Sequence, residues 1–378
     1  MRNIMRLGDV ASYINGFPFK PSDWSDMGVP IIRIQDLTGN GYQMNRFDGK
    51  YDAKYEVRAG DVLISWSASL GVYVWELETA VLNQHIFKVR FDKVDVNKDF
   101  FVYQVECLLK KAARQAHGAT MRHLTKPVFD GLPFYLPPKE EQKRIAAQLN
   151  VITDLISLRQ RQAEKLDELV KARFVEMFGD PCEMLHWECK KIEEVADVTV
   201  GVVVKPANFY TDDRLHGVKA FRSLNIGEMK IKDNDWVYFS EEGNAQNAKS
   251  QLHEGDVLVV RSGAPGTSCV VTKAYEGCNA IDVIIVHVDG IKLNPYYLCA
   301  FNNFPHGMRQ MLKGVGGAAQ KHLNVGKYNQ MIVAIPPMKL QNEFVLFMDS
   351  VDCEKDRIQR SAALLEMLKR SLMQQYFG

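Results

Sequence analysis

The sequence twice runs a short apolar stretch into a double proline and then into a long charged segment. The first occurrence is PFYLPPKEEQKRIAAQL at residues 133–149, and the second is IVAIPPMKLQNEFVLFM at residues 332–348. A double proline fixes two φ angles and removes two backbone N–H donors, so it ends a strand and stiffens the exit. Because proline is also favoured in the first turn of a helix, each stretch predicts a strand, a rigid exit and a long helix.

These stretches belong to a longer internal repeat. Three pairs recur at a spacing of 199 residues: His123-Leu124 with His322-Leu323, Pro137-Pro138 with Pro336-Pro337, and Phe178-Gly179 with Phe377-Gly378. A fourth motif, Gly-Asp-Val-Leu at residues 60–63, returns at residues 255–258. Markers in the same order at so long a period indicate a duplicated domain and not a solenoid.

Each half has the same predicted order of elements. Apolar, β-branched runs punctuated by Gly, Asn and Asp predict strands at 31–34, 61–66, 87–91, 218–221, 256–260 and 283–288. A helix follows near residues 100–116 and near 294–303, and then come a glycine-containing loop and a last strand. We therefore predict an α/β (α+β) fold with this division: globular domains 1–137 and 191–335, spacer helices 138–178 and 336–378, and linker 179–190.

The long helices carry a heptad stripe. Its steps of four and three residues run through Ile145, Leu149, Ile152, Ile156, Arg159, Ala163, Leu166, Val170, Arg173 and Met177, and through Phe344, Met348, Val351, Lys355, Ile358, Ala362, Leu365, Lys369, Leu372 and Tyr376. This period predicts a coiled-coil seam, whereas a helix packed on a globular core has a wider apolar face. Antiparallel pairing would make a rigid spacer of about 50 Å and relate the two domains by a pseudo-twofold axis.

Composition limits the class of protein. The chain has 378 residues, 46% hydrophobic and 25% charged, with a net charge of +1, which disfavours a surface coated in Lys and Arg. Seven cysteines without paired spacing fit reduced thiols better than a disulfide framework. No apolar run is long enough to span a membrane, and the N-terminus lacks the apolar core of a signal peptide, so we expect a cytoplasmic protein.

Sequence motifs for catalysis or metal binding are weak. Asn294-Pro295-Tyr296-Tyr297 faintly resembles a methyltransferase motif, but no cofactor-binding glycine loop precedes it. The glycines at 314, 316 and 317 lack the spacing and the lysine of a phosphate-binding loop. Cys182, His186 and Cys189 offer three ligands where structural zinc takes four. A turn, a flexible loop and an interdomain linker are the simpler interpretations.

A resemblance to a known family becomes specific at the junctions. LPPKEEQKRIAAQL and IPPMKLQNEFVLFM resemble the spacer region that follows each target-recognition domain in specificity subunits of type I restriction–modification systems. The Gly-Asp-Val-Leu motif in each half and the glycine-containing loop that ends in His-Leu also resemble that family, over essentially the whole chain. The second copy departs from it at residues 339–341, where Lys-Leu-Gln replaces Glu-Glu-Gln.

The resemblance implies a non-catalytic subunit whose two domains each read one half of a split, asymmetric DNA target. The helices would set the gap and dock methyltransferase subunits, usually two, which use S-adenosylmethionine. In systems that have them, restriction subunits with ATP and Mg²⁺ would join such a core, and no cofactor would bind this chain. The docking residues that the resemblance implies are Glu140, Glu141, Gln142 and Arg144 in the first copy and Gln341 and Glu343 in the second.

Candidate DNA contacts fall into three groups. The loops before the last strands hold Arg122, His123, Lys126, Gln320, Lys321 and His322, with glycine nearby. Residues after the Gly-Asp-Val-Leu strands are Ser65, Ser67, Arg261 and Ser262, of which Arg261 is preferred because arginine is the usual reader of guanine. Early strand or loop positions supply Lys20, Arg33, Gln35, Lys205 and Arg222, whose alternative is an exposed strand face.

Two other functions remain open at this stage. A separate specificity chain of a two-subunit cut-and-modify system would share the split target and differ only in its partners. A protein scaffold without nucleic acid would explain the paired helices, but not the glycine and basic loops at equivalent places in both copies. Binding to random-sequence duplex at low salt would separate the scaffold from the other two.

Arg122→Ala and Lys321→Ala test the predicted loop contacts. If both side chains contact phosphate, each substitution should weaken binding uniformly across sequences and lower the salt slope by about one. The measurement is the affinity of the assembled complex for its duplex target between 50 and 200 mM salt, a range over which phosphate contacts change affinity strongly. Unchanged affinity and slope in both variants would make these loops merely solvated.

Overall fold

The structure is a computed structural model that describes residues 3–41, 43–115, 124–179, 187–312 and 322–378. It contains two compact units, named here unit 1 (residues 1–161 with 359–378) and unit 2 (residues 162–358). Each long helix is therefore divided between the units, whereas the predicted boundaries separated the helices from the domains. Among the described residues, no helix is long and apolar enough to cross a membrane.

The described part of unit 1 contains two four-stranded sheets, and a two-stranded one in which 4–6 pairs with 133–135. Its strands are Ile4–Arg6, Ser12–Asn15, Val29–Ile32, Arg46–Phe47, Glu56–Val57, Val62–Ser65, Gly71–Val74, Ala80–Leu82, Ile86–Arg90 and Pro133–Tyr135. Its shorter helices are Leu7–Val10, Ile34–Leu37, Lys98–Gln115 and Lys126–Asp130, with 3-10 turns at Pro21–Asp23 and Ala53–Tyr55. One sheet is antiparallel, in the order 12–15, 86–90, 62–65, 71–74. The other contains a parallel pair, 29–32 beside 80–82.

Unit 2 has the corresponding elements. Its strands are Glu188–Lys191, Ala196–Val200, Val218–Phe221, Ile226–Gly227, Lys230–Ile231, Val237–Phe239, Val257–Val260, Ser268–Val270, Asn279–Ala280, Val283–Val288 and Ile332–Ile335. Its shorter helices are Glu241–Gln246, Pro295–Asn303, Pro305–Leu312 and Val325–Asn329, with 3-10 turns at Ile192–Glu194, Pro206–Phe209, Ser223–Asn225, Ala248–Ser250 and Lys273–Tyr275. The antiparallel sheet has the order 196–200, 283–288, 257–260, 268–270, and 218–221 runs parallel to 279–280.

The predicted strands are present with small shifts at their ends. Two details differ from the sequence analysis. Ile34 begins a short helix instead of ending a strand, because the side chain of Asp36 accepts a hydrogen bond from the Arg33 backbone N–H and starts the turn. Residues 188–190, predicted as linker, belong to a strand that pairs with Ile332–Ile335. The sequence did not predict this strand because its hydrogen-bond partner is distant in the chain.

The two long helices, Lys139–Phe178 and Met338–Phe377, run antiparallel within each unit. In unit 1 the start of one meets the end of the other, where the Tyr376 hydroxyl donates to Gln148 Oε1 at 2.6 Å. In unit 2 Lys355 forms an ion pair with Asp167. These contacts confirm the predicted antiparallel pairing for the part of the helix pair within each unit.

Burial along the helices follows the predicted seam. Every residue of the heptad stripe is buried or half-buried, including its four charged positions. Two of the charged side chains place their cationic groups beside the seam. Arg173 lies over the Phe347 ring at 5.8 Å, and Lys369 lies over the Tyr103 ring at 5.5 Å. The long aliphatic stems thus stay packed while the cationic heads reach an aromatic face.

The helix ends are part of the domain cores. In unit 2 Phe174 stacks on Tyr297 at 5.6 Å and meets Phe344 edge-on at 5.3 Å. In unit 1 Phe377 packs edge-on against Phe100 at 5.4 Å. Because these rings are nearly fully buried, the helix pair and the globular part of each unit share one hydrophobic core.

A buried glutamine fixes each double proline. The Gln142 amide donates to the Pro137 carbonyl at 2.8 Å and accepts from the Asn97 backbone N–H at 2.8 Å. Gln341 does the same with the Pro336 carbonyl and the Asn294 N–H, both at 2.8 Å. Since they are 2% and 0% exposed, the predicted docking role of these two glutamines is wrong for the side chains, which are structural clamps.

Gln142→Ala and Gln341→Ala should each lower the free energy of unfolding by roughly 1–3 kcal/mol, because each leaves a buried carbonyl and a buried N–H without a partner. The measurement is urea-induced unfolding. Gln160→Ala and Gln359→Ala are matched controls, exposed on the same helices, and should change stability by no more than about 0.5 kcal/mol. Equal effects in the two pairs would show that the clamps contribute nothing.

Candidate nucleic-acid interface

In both units, several strands end at one place, called here the strand-end face. In unit 2 Arg222 directly follows strand Val218–Phe221, Arg261 follows Val257–Val260, and Asp282 lies just after Asn279–Ala280. The parallel pairing of 218–221 with 279–280 brings Arg222 and Asp282 to the same edge, and the Ile281 N–H donates to the Phe221 carbonyl at 2.8 Å. The topology thus collects residues that are far apart in sequence.

Arg261 is held from three sides at this face. Its Nη1 donates to Asp282 Oδ1 at 2.6 Å, its Nη2 contacts His322 Nε2 at 2.7 Å, and its Nε donates to the Leu323 carbonyl at 3.3 Å. Because arginine can only donate, Nε2 of His322 is the acceptor, which leaves Nδ1 to donate to Ser262 Oγ at 2.7 Å. The structure therefore joins Arg261, Ser262 and His322, three of the predicted contacts, in one network.

The backbone also contributes to this arrangement. The Leu323 N–H donates to the Arg261 carbonyl at 2.9 Å, and Ser262 forms an isolated antiparallel bridge with His322. Asp282 has a positive φ of 49°, a strained conformation for a residue other than glycine, which surrounding contacts must hold in place. Such residues are concentrated at functional sites.

Unit 1 repeats the backbone with different side chains. The Leu124 N–H donates to the Trp66 carbonyl at 3.0 Å, so Trp66 occupies the place that Arg261 has in unit 2. His85, at φ 71°, lies at the equivalent strand end and meets the Trp66 ring edge-on at 5.0 Å. The Trp66 ring stacks on Phe87 at 5.6 Å. An aromatic surface thus replaces the guanidinium network.

Two further pairs of predicted residues occupy equivalent positions. Lys20 and Lys205 both precede a short 3-10 turn that begins with proline. Arg33 and Arg222 both precede the helical turn after the parallel strand, where the backbone N–H of each donates to a side chain three residues on. Lys20 and Lys205 are exposed, whereas Arg33 and Arg222 are half-buried.

The remaining predicted contacts differ in placement. Ser65 and Ser67 are buried, and Ser65 Oγ donates to the Ser67 carbonyl at 3.2 Å, so the structure does not place these hydroxyls on the surface and a direct contact is not supported. Gln35 is exposed. Lys126 is tied to Asp130 at 2.7 Å and lies over the Tyr13 ring at 5.3 Å. Further residues, Arg122, His123, Gln320 and Lys321, lie outside the described residues.

Sequence reasoning missed three residues, one of which lies at this face. Trp24 and Tyr210 are exposed, and each directly follows the 3-10 turn that begins after Lys20 or Lys205. The Arg33 guanidinium lies over the Trp24 ring at 5.4 Å. Asp282 is the third. The repeated order of lysine, proline and an aromatic residue was a visible signal for the first two, but nothing local marked Asp282.

The predicted docking residues outside the clamps lie on the helix surface. Glu140 forms an ion pair with Lys143 at 2.8 Å, and Arg144 lies over the Tyr376 ring at 5.8 Å. Glu141 is half-buried and Glu343 is exposed. Of the proposed metal ligands, Cys182 and His186 lie outside the described residues, and Cys189 contacts the Trp187 carbonyl. Within the described ranges no cluster of residues suits a metal ion.

Two domains of repeated topology joined by antiparallel helices define a class of known structures. A chain of a type I restriction–modification system, solved to explain complex assembly and conformational transition, matches with a TM-score of 0.65 at 14% identity, covering 99% of this chain and 97% of that one. The type I S subunit from M. genitalium matches with a TM-score of 0.52 at 13% identity, over 100% and 96% of the chains. These similarities establish the fold.

Sequence comparison shows a similarity to specificity subunits. Residues 3–168 match the family model for the type I restriction modification DNA specificity domain. The specificity subunit of the type I restriction enzyme EcoBI from Escherichia coli is 22% identical, over 94% of this chain and 80% of its own length. The MjaVIII specificity subunit from Methanocaldococcus jannaschii is 23% identical, over 68% and 62%. In sequence and in fold this chain is thus similar to the specificity subunits of type I restriction–modification systems.

Proposed function

We propose that this subunit reads a bipartite, asymmetric DNA target, with the strand-end face of each unit reading one half. One observation carries the proposal: both units present the same strand ends with different side chains on them. An arginine network lies at the position in unit 2 where unit 1 has Trp66 and His85. Two units with the same backbone arrangement but different side chains would let one protein recognise two different short DNA sequences.

The net charge of the chain favours sequence-specific DNA binding over sequence-independent attraction to phosphate. The net charge of +1 gives little driving force for sequence-independent binding, which depends on many Lys and Arg contacts to phosphate. The basic side chains of the strand-end faces, Lys20 and Arg33 in unit 1 and Lys205, Arg222 and Arg261 in unit 2, would concentrate positive charge locally. Such an arrangement fits orientation by a few phosphate contacts and discrimination by base contacts.

In this proposal, chemistry belongs to partner subunits. The sequence offers no glycine loop for S-adenosylmethionine and no phosphate-binding loop, so the methyl donor, and ATP with Mg²⁺ where restriction subunits are present, would bind elsewhere in the complex. This chain would recognise the target sequence and set the spacing between its two halves. We expect the purified subunit to show neither methylation nor cleavage by itself.

We propose that a methyltransferase subunit docks on an apolar face of the helix pair in unit 1, called here the docking face. It consists of exposed side chains from both helices: Val151, Leu155, Leu158, Leu364, Met367 and Leu368. Leu155 and Leu368 each directly precede a seam residue of the same heptad position, so antiparallel pairing sets them on one side of the pair. Exposed apolar clusters of this kind mark interaction surfaces.

The equivalent positions of unit 2, found by the 199-residue spacing, are mostly charged. Glu354 pairs with Arg357 at 3.3 Å, and Lys165 pairs with Glu168 at 2.6 Å. Only Leu169, the equivalent of Leu368, is apolar and exposed. A second methyltransferase subunit would therefore meet a more polar surface, which supports unequal docking at the two ends.

Leu368→Lys should lower the affinity of the methyltransferase subunit for this chain about tenfold, because a half-exposed leucine that would be buried on docking is replaced by a charge. Leu169→Lys is the matched control, since these leucines are 48% and 47% exposed at equivalent positions. The measurement is titration of the chain with purified methyltransferase subunit. An equal loss in both variants, or none in Leu368→Lys, would contradict the docking face.

We propose that the length of the paired helices sets the gap in the target. Seven residues added between Gln160 and Arg161 keep that helix in heptad phase. Counting from the contact between Gln148 and Tyr376, the antiparallel counterpart lies between Ala363 and Leu364, where seven more residues are added. The pair then lengthens by about 10 Å, at 1.5 Å per residue.

The lengthened subunit should recognise the same two half-targets with a gap larger by about three base pairs, at 3.4 Å each, or lose binding where the added rotation is not absorbed. Methylome sequencing of cells with the natural or lengthened gene measures both the half-targets and the gap. The natural gap at full efficiency would exclude the helices as the spacer. Altered half-targets would place base reading in the helices.

A further inference from the structure

We propose that Arg261 reads a guanine in the half-target of unit 2, that Asp282 and His322 are its positioning residues, and that unit 1 has no equivalent reader. This inference rests on the proposed function. It adds the base, the side chain that reads it and the asymmetry between the halves. Arginine recognises guanine by donating two parallel hydrogen bonds to O6 and N7 in the major groove.

The number of donors permits this contact. A guanidinium has five N–H groups, and the bonds to Leu323, Asp282 and His322 use one each on Nε, Nη1 and Nη2. One N–H on each terminal nitrogen is left without a partner among the described residues. These two nitrogens are the pair that a bidentate contact with guanine needs.

The guanidinium is held still before any ligand arrives. The Arg261 side chain is only 12% exposed, and Asp282 is 44% exposed, so the stem is packed while the network opens to the surface. A long side chain that is already fixed loses little rotamer freedom on binding, which raises specificity. The strained φ of Asp282 fits a carboxylate that is placed for this purpose.

Access is open beside the network. Gly263, two residues after Arg261, has a φ of 88°, and a Cβ added there would meet no described atom within 4 Å. Gly263 and Ala264 are both exposed, so a base edge can approach the strand end at this point of the loop. A backbone with a positive φ and no side chain also lets DNA come close.

Unit 1 cannot make this contact at the same position. Trp66 replaces the arginine, its indole N–H donates to Asn15 Oδ1 at 3.2 Å, and its ring packs against Phe87 and His85. An indole has one donor and no bidentate fork. The corresponding base in the other half-target must be read differently, so replacing Arg261 should change one position only.

The experiment uses the subunit assembled with its methyltransferase subunits and the duplex target found by methylome sequencing. Each guanine of the target is replaced in turn by 7-deazaguanine, which lacks the N7 acceptor, or by another base. With the natural protein, replacement at one guanine should weaken binding about 5- to 150-fold, the range of a bidentate base contact. With Arg261→Met, which keeps a long apolar stem but has no N–H donor, that dependence should disappear at this position and remain at every other one.

Two more variants complete the test. Asp282→Asn removes the charge while keeping a residue that tolerates positive φ, and it should reduce the dependence at the same guanine by a smaller factor. Arg370→Lys, at an exposed position of a long helix outside the docking face, is the control and should change nothing. Thermal unfolding is measured for all the variants, so that one with lowered stability is recognised; if Arg261→Met does not fold, Asp282→Asn decides.

The outcomes separate the possible failures. Uniform weakening with a smaller salt slope would make Arg261 a phosphate contact and overturn the inference. Unchanged dependence on every guanine, with lowered thermal stability, would make the network a structural clamp and also overturn it. A natural complex that recognises no target would instead overturn the proposed function on which the inference rests.

Discussion

The rest of the structure depends on the buried amide that follows each double proline. A glutamine both donates and accepts, so one side chain joins the proline carbonyl to the backbone N–H of the residue just before the domain's own helix, Asn97 or Asn294. A buried amide with both groups bonded is favourable, whereas each unsatisfied group would be costly. The two hydrogen bonds of each glutamine thus fix the direction of the long helix relative to the domain core.

That fixed exit fits one architecture with two different strand-end faces. The sheets, the parallel pair and the left-handed residue at the strand end recur in both units, because they are set by strand pairing and core packing. The side chains that leave the strand ends lie at the border of the core, where Arg261 is 12% exposed and Trp66 is half-buried. Trp66 and Arg261 differ completely on this common frame, which fits the proposed reading of two unlike half-targets.

The helix pair separates its roles by face. Its inner stripe packs the two helices together, and three charged members of that stripe, Arg173, Lys369 and Lys355, contact aromatic rings or an acid at the edge. Its outer surface differs between the units, apolar in unit 1 and ion-paired in unit 2. Pairing and partner binding can therefore change independently, since they use different sides of the same helices.

The sequence by itself determined the strand, double proline and helix order, the duplication and the seam, because each is a local pattern or a fixed period. It also pointed to Arg261 and His322 separately, but only the tertiary structure joined them, across 61 residues, with Asp282, 21 residues from Arg261. Burial was likewise decided in three dimensions: Gln142 and Gln341 belong to the core and Ser65 to the sheet interior. Their polarity predicted exposure, whereas hydrogen-bond partners distant in the chain made burial favourable.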